Sequence, residues 1–177
     1  MFLKINILQE DTMFETDRCT IQKFQRIDWH DVSRLYMNID VRKYLGGIRT
    51  EKQVQAALTH MLHPNDVCYN WVVREKKTHH FIGLVSLDTH HDGNDFELSY
   101  QFSPEWWGKG YATEVIHVII EHAFKDLQLD KIVAETQVAN RASCKLLEKI
   151  GMKRECDIMR FGEKQAIYYI NNVILEV

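Results

Sequence analysis

Proline is scarce in this 177-residue chain, with two residues, and glycine numbers only eight. Collagen-like and Pro/Gly-rich low-complexity material are thereby excluded. Cysteine is limited to Cys19, Cys68, Cys144 and Cys156, scattered without a CxxC pair. That usage fits reduced thiols in a cytosolic protein better than a disulfide framework. No apolar run approaches the roughly 20 residues that cross a bilayer. Residues 1–12 carry one lysine, short apolar runs and no small-residue cleavage site, so no secretory leader is expected. Charge of one sign is missing too. The 22 basic and 25 acidic residues leave a net −3, which predicts neither a nucleic-acid nor a membrane partner.

Apolar residues make up 45% of the chain, enough to exclude wholesale disorder. A chain of this length suits one domain and buries roughly 70% of its unfolded surface. Residues 17–177 read as that domain, with 1–16 as an N-terminal extension. Nine histidines raise a metal reading through His60 and His63, His79 and His80, and His90 and His91. Adjacent strand residues point to opposite faces, and no pair has a Cys or carboxylate at ligand spacing. The pattern predicts solvated surface histidines and no metal.

Residues 18–26 alternate as a first strand. Asp28 stands where it can cap a helix over 29–38, whose apolar positions Val32, Leu35, Tyr36 and Ile39 follow helical spacing. Gly46 and Gly47 break the chain, and Thr50 with Gln53 makes a capping box for a helix over 51–62. Strands follow at 68–75, 81–89 and 95–102, the last two joined by the hairpin turn Asp92-Gly93. A helix over 109–127, a strand at 131–137 and a helix over 140–150 ending at Gly151 come next. Two final strands, 152–161 and 164–176, meet at Gly162. The crossover from 95 to 137 makes 95–102 and 131–137 parallel, whereas the hairpins are antiparallel. The fold class is therefore α/β (α+β), with a mixed sheet of about seven strands.

The segment richest in chemistry is Ser103-Pro104-Glu105-Trp106-Trp107-Gly108-Lys109-Gly110-Tyr111-Ala112-Thr113-Glu114, which joins a strand to a helix. Gly108 and Gly110 lack a Cβ, so main-chain amides can approach an anion, and the helix start adds unpaired N–H groups and a positive dipole end. This is diphosphate-binding chemistry, although a tight strand-to-helix turn can use two glycines for geometry alone. The chain has no GxxxxGK[S/T], and a dinucleotide GxGxxG would need glycine where Thr113 stands. A second strand-to-helix junction, Asn140-Arg141-Ala142-Ser143, should lie beside the first, at the strand ends where open α/β sheets bind ligands. Between 139 and 154 five basic residues face one acid, Glu148; they suit a phosphorylated ligand or an ordinary solvated helix face.

Residues 97–114, followed by Asn140-Arg141-Ala142-Ser143-Cys144-Lys145-Leu146-Leu147-Glu148-Lys149-Ile150-Gly151-Met152, resemble the GNAT superfamily of acetyl-CoA-dependent N-acetyltransferases. Within it the likeness is to the RimJ and RimL branch of ribosomal-protein N-terminal acetyltransferases, and it spans about 17–176. One position departs from the superfamily pattern Q/R-x-x-G-x-G/A: Glu105 stands first.

The resemblance implies a mostly antiparallel sheet with one splayed parallel pair, helices on both faces, and acetyl-CoA as co-substrate between strands 95–102 and 131–137. It implies that Gly108, Lys109, Gly110, Tyr111, Ala112 and Thr113 hold the diphosphate through main-chain amides. Tyr100, Phe102 and Asn140 would hold the pantetheine arm. A primary amine is the expected acceptor, and homodimers are common among related proteins. Glu97, on a strand face with Ser99 and Gln101, is the candidate base, with a structural carboxylate as the alternative. Ser143 is the candidate partner of the departing sulfur, with a helix-start cap as the alternative. An α-amino group with pKa near 8 is about one-tenth neutral at pH 7, whereas a lysine amine is neutral about once in several thousand molecules. The first needs little help from a base. A non-catalytic module that binds CoA would share the glycine turn and Asn140 but need neither Glu97 nor Ser143.

Overall fold

The computed structural model describes residues 13–172 apart from 65, 66, 92 and 94. The described residues open with strands β1 (Met13–Glu15) and β2 (Cys19–Lys23), a 3-10 turn, and helices α1 (Trp29–Tyr36), α2 (Ile39–Arg42) and α3 (Glu51–Leu62). Strands β3 (Tyr69–Glu75), β4 (Phe81–Thr89) and β5 (Phe96–Phe102) lead through a second 3-10 turn into α4 (Tyr111–Lys125). Strand β6 (Lys131–Gln137), helix α5 (Arg141–Lys149) and strands β7 (Lys153–Arg160) and β8 (Glu163–Asn171) complete it.

Among the described residues eight strands form one sheet in the order β1-β2-β3-β4-β5-β6-β8-β7. Every neighbouring pair is antiparallel except β5 and β6, as the crossover through α4 demands. That pair is joined only at Phe96 with Ile132 and Glu97 with Val133, so beyond Glu97 the two strands diverge. The eighth strand is β1, three residues long and paired with β2; it is too short to announce itself by alternation.

Side-chain alternation divides the core between the two faces. Trp71, Val73, Leu98 and Phe102 pack with Val115, Ile119 and Leu147 of α4 and α5, while Val72 and Leu84 pack with Val32, Leu35 and Leu58 of α1 and α3. The β3–β4 register skips Ile82, a bulge that lets Ile82 and Val85 both face the α4 side. Gly83 follows the bulge where β4 meets β5: a Cβ there would lie 2.4 Å from the Gln101 carbonyl oxygen and 2.9 Å from the Phe102 ring.

Three local expectations need correction. Asp28 does not cap α1. It lies in the 3-10 turn, and its carboxylate instead accepts from Arg74 at 2.7 Å and from the Gln25 N–H at 3.0 Å. The first helix also stops earlier than its apolar spacing implies. Asn38 accepts from the N–H groups of Asp40 and Val41, starting α2 and turning Ile39 out to 73% exposure. Nor are all histidines solvated, because His90 and His122 are buried. The box of Thr50 and Gln53 caps α3 as expected. Gly93 has the positive φ the β4–β5 turn needs, and Asp92 lies outside the described residues.

Candidate active site

The glycine turn brings its donors into one place by backbone sterics. Gly108 and Gly110 adopt φ of +70° and +83°, a region that L side chains avoid. Gly110 is the residue before α4, and the first main-chain bond of the helix runs from the Glu114 N–H to the Gly110 carbonyl at 3.2 Å. The amides of Tyr111, Ala112 and Thr113 therefore have no partner within the helix. Trp106 and Trp107 brace the turn, donating their indole N–H groups to the Phe81 and Phe102 carbonyls at 3.1 and 2.7 Å.

The turn opens onto a cleft of about 1280 Å³ that runs along the divergence of β5 and β6. Of the residues singled out in the sequence, Glu97, Tyr100, Phe102, Gly108, Gly110, Ala112, Thr113, Asn140 and Ser143 all line it. Lys109 and Tyr111 do not. The Lys109 ammonium donates to the Glu105 carbonyl at 2.7 Å, and the Tyr111 ring lies between Trp106 and the Arg18 guanidinium. At the turn, those two residues can offer the cleft only main-chain groups.

Glu97 lies in the cleft wall opposite Asp88 of β4. Burial pushes its carboxyl above the ordinary carboxylate range, and the charge of Glu135 adds to this; His90, His91 and the Glu135 main-chain N–H pull the other way. Glu135 is itself held by Arg160 at 2.7 Å and His90 at 3.3 Å, with its other carboxylate oxygen buried and without a hydrogen-bond partner. Glu97 thus combines proximity to open space with a reduced tendency to ionise, which suits a proton acceptor working near neutrality.

Further along β5, the Tyr100 hydroxyl lies 2.7 Å from Ser143 Oγ at the start of α5. Burial pushes the Tyr100 phenol up to about 12, with the Ser143 hydrogen bond opposing it, so the phenol keeps its proton at neutral pH. Sequence reasoning gave Tyr100 as a pantetheine contact and missed this hydroxyl pair. Ser143 is not the helix cap; that role belongs to Asn140, whose side-chain oxygen accepts from the Ser143 N–H at 3.2 Å. Cys144 is buried on the inner face of α5. Lys145 and Lys149 from the basic stretch line the cleft, whereas Arg154 is bound to Asp157. Among the described residues no group of three His, Cys, Asp or Glu side chains is arranged to hold a metal ion.

Sequence reasoning also missed Arg18. It sits just before β2, yet its guanidinium reaches Glu114 in the first turn of α4 at 2.7 Å and the Lys109 carbonyl at 2.9 Å. Nothing in local spacing signals a meeting of residues this far apart in the chain.

A mixed sheet split at one parallel pair, with an amide-lined turn at the split, makes a cleft able to hold an anionic ligand. Residues 18–153 match the family model described as an acetyltransferase (GNAT) domain, and the chain belongs to that family. An uncharacterized N-acetyltransferase, YnaD of Bacillus subtilis, is 30% identical over 79% of this chain and 82% of its own. A GNAT-family acetyltransferase from Bacillus anthracis superposes with a TM-score of 0.78 at 27% identity, covering 91% of this chain and 99% of its own. The spermidine N-acetyltransferase of Vibrio cholerae, solved with CoA and spermine, has the same fold, with a TM-score of 0.76 at 23% identity over 87% of this chain and 95% of its own.

Proposed function

We propose that this protein transfers an acetyl group directly from acetyl-CoA to a primary amine. The observation that carries the reading is that the left-handed glycine turn, Glu97 and the Tyr100–Ser143 pair all line one cleft. The residues fit the co-substrate: Gly108 leaves open space where a Cβ would stand, and three helix-start amides lack helical partners. When bound, acetyl-CoA supplies an activated acetyl group as a thioester.

The amides of 108–113 hold the diphosphate. The β5 edge from Tyr100 to Phe102 holds the pantetheine arm, with the Asn140 amide nitrogen on the other side, because its oxygen is engaged by Ser143. A main-chain N–H at the end of β5 polarises the thioester carbonyl. Glu97 takes the proton of the incoming ammonium, directly or through one water. Ser143, backed by the protonated Tyr100, donates a hydrogen bond to the departing sulfur.

The motif likeness to the RimJ and RimL branch favours a protein N-terminus as acceptor, in keeping with the low basicity of an α-amino group; a small-molecule amine is the alternative. The four free thiols support a cytoplasmic setting. Residues 17–177 are read as one acetyltransferase domain, with 13–16 of the extension adjoining it through β1. Mass spectrometry of the protein incubated with acetyl-CoA, amines and short peptides tests the proposal. Acetylated product with released thiol is expected. Coenzyme A binding with neither product nor thiol release across the panel would leave a CoA-binding regulatory module instead.

A further inference from the structure

We propose that Arg18 and Glu114 act as a positioning pair that sets the 108–113 turn for an anionic ligand. Arg18 directs all three guanidinium nitrogens at this turn and the helix start behind it. Its Nε donates to Glu114 Oε2 at 2.8 Å, its Nη2 lies 2.7 Å from the same oxygen, its Nη1 donates to the Lys109 carbonyl at 2.9 Å, and its Cζ lies 4.0 Å from the Tyr111 ring centroid. Glu114 completes the joint from the helix side. Its Oε1 accepts from the Arg18 main-chain N–H at 3.0 Å and from the Thr16 hydroxyl. The segment before β2 is thereby fastened to both the turn and the first residues of α4.

Two consequences follow for the site. A peptide unit is planar and trans, so holding the Lys109 carbonyl toward Arg18 turns the Gly110 N–H the opposite way. Gly110 lines the cleft, and its left-handed φ is the joint between turn and helix. The second consequence is electrostatic. A carboxylate in the first turn of α4 competes with any anion for the same amides and dipole. Burial alone would raise the Glu114 carboxyl, yet the Thr16 and Arg18 hydrogen bonds and the Arg18 charge carry it below its ordinary range, so it is ionised at neutral pH. Arg18 cancels that charge while leaving the amides unoccupied.

The inference rests on the reading that this turn holds the diphosphate of coenzyme A, and its test separates the two. Calorimetric titration of the full chain with coenzyme A is compared for wild type, Arg18→Gln, Arg18→Lys and the double variant Arg18→Gln/Glu114→Gln. Wild type that binds no coenzyme A refutes the functional reading itself. Given binding, Arg18→Gln is expected to weaken coenzyme A and raise the KM for acetyl-CoA about tenfold. The kcat, the amine KM and turnover of S-acetylpantetheine, which lacks the diphosphate, should stay within about twofold. Arg18→Lys keeps the charge but loses the forked grip and should fall between the two. The double variant, free of the bare carboxylate, should bind coenzyme A more tightly than Arg18→Gln alone. Wild-type affinity in Arg18→Gln overturns the proposal, as does an equal loss with S-acetylpantetheine or a double variant no better than the single. If Arg18→Gln fails to fold, Arg18→Lys with undiminished coenzyme A affinity overturns it instead.

Discussion

Glu97 is the residue on which the proposed chemistry turns, and its surroundings define how to test it. Replacing it with Gln preserves shape but removes the base. We expect kcat to fall about tenfold with an α-amino acceptor and about a hundredfold or more with a lysine-like amine, with coenzyme A affinity unchanged by calorimetry. Because burial raises the Glu97 pKa, the active, ionised form appears only above that raised value. The kcat should therefore climb with pH and level off later than for an ordinary glutamate, and Glu97→Gln should abolish this limb of the profile. The hydroxyl pair makes a different prediction. Tyr100 and Ser143 share one hydrogen bond, so Tyr100→Phe and Ser143→Ala should each lower kcat about tenfold, while the double variant loses little more than either. Additive losses in steady-state kinetics would show that the two hydroxyls act independently.

At the scale of elements, the divergence of β5 from β6 opens the cleft, and β4 carries a bulge at Ile82. Gly83 occupies the contact between the bulge and β5, where a methyl group would collide with main-chain atoms that cannot swing aside. We expect Gly83→Ala to destabilise the fold by about 1–3 kcal/mol, measurable as a lower midpoint in urea denaturation; an unchanged midpoint would mean that β4 and β5 can separate freely here. The helices were legible where their signals are local. The capping box of α3 and the glycine start of α4 lie within a few residues of what they control. Legibility failed at Asp28 and Ile39, where a distant arginine and a second cap outcompeted the helical pattern. Propensity is a weak prior against such partners.

For the whole molecule, a large ligand bridging the turn, the split sheet and α5 should couple to global stability. A hundredfold excess of acetyl-CoA over its Kd adds about 2.7 kcal/mol, a rise of roughly 5–10 °C in Tm for a chain of this size. Differential scanning calorimetry with and without acetyl-CoA checks this, and no shift at saturating concentration would contradict binding in the cleft. The amino-acid sequence by itself determined the order of the elements from β2 onward apart from α2, the parallel crossover and the glycine turn with its amides. Each follows from steric and periodic rules acting over a few neighbouring residues. Only the tertiary structure decided that β1 joins the sheet, that Arg18 grips Glu114 across 96 positions, and that Tyr100 meets Ser143 across 43. The surroundings that set the Glu97 pKa belong to the same class, since Glu135 of β6 and His90 just past β4 reach it from elsewhere in the chain. Such meetings depend on register and strand order, and those are settled by the packing of two opposed cores rather than by any local pattern.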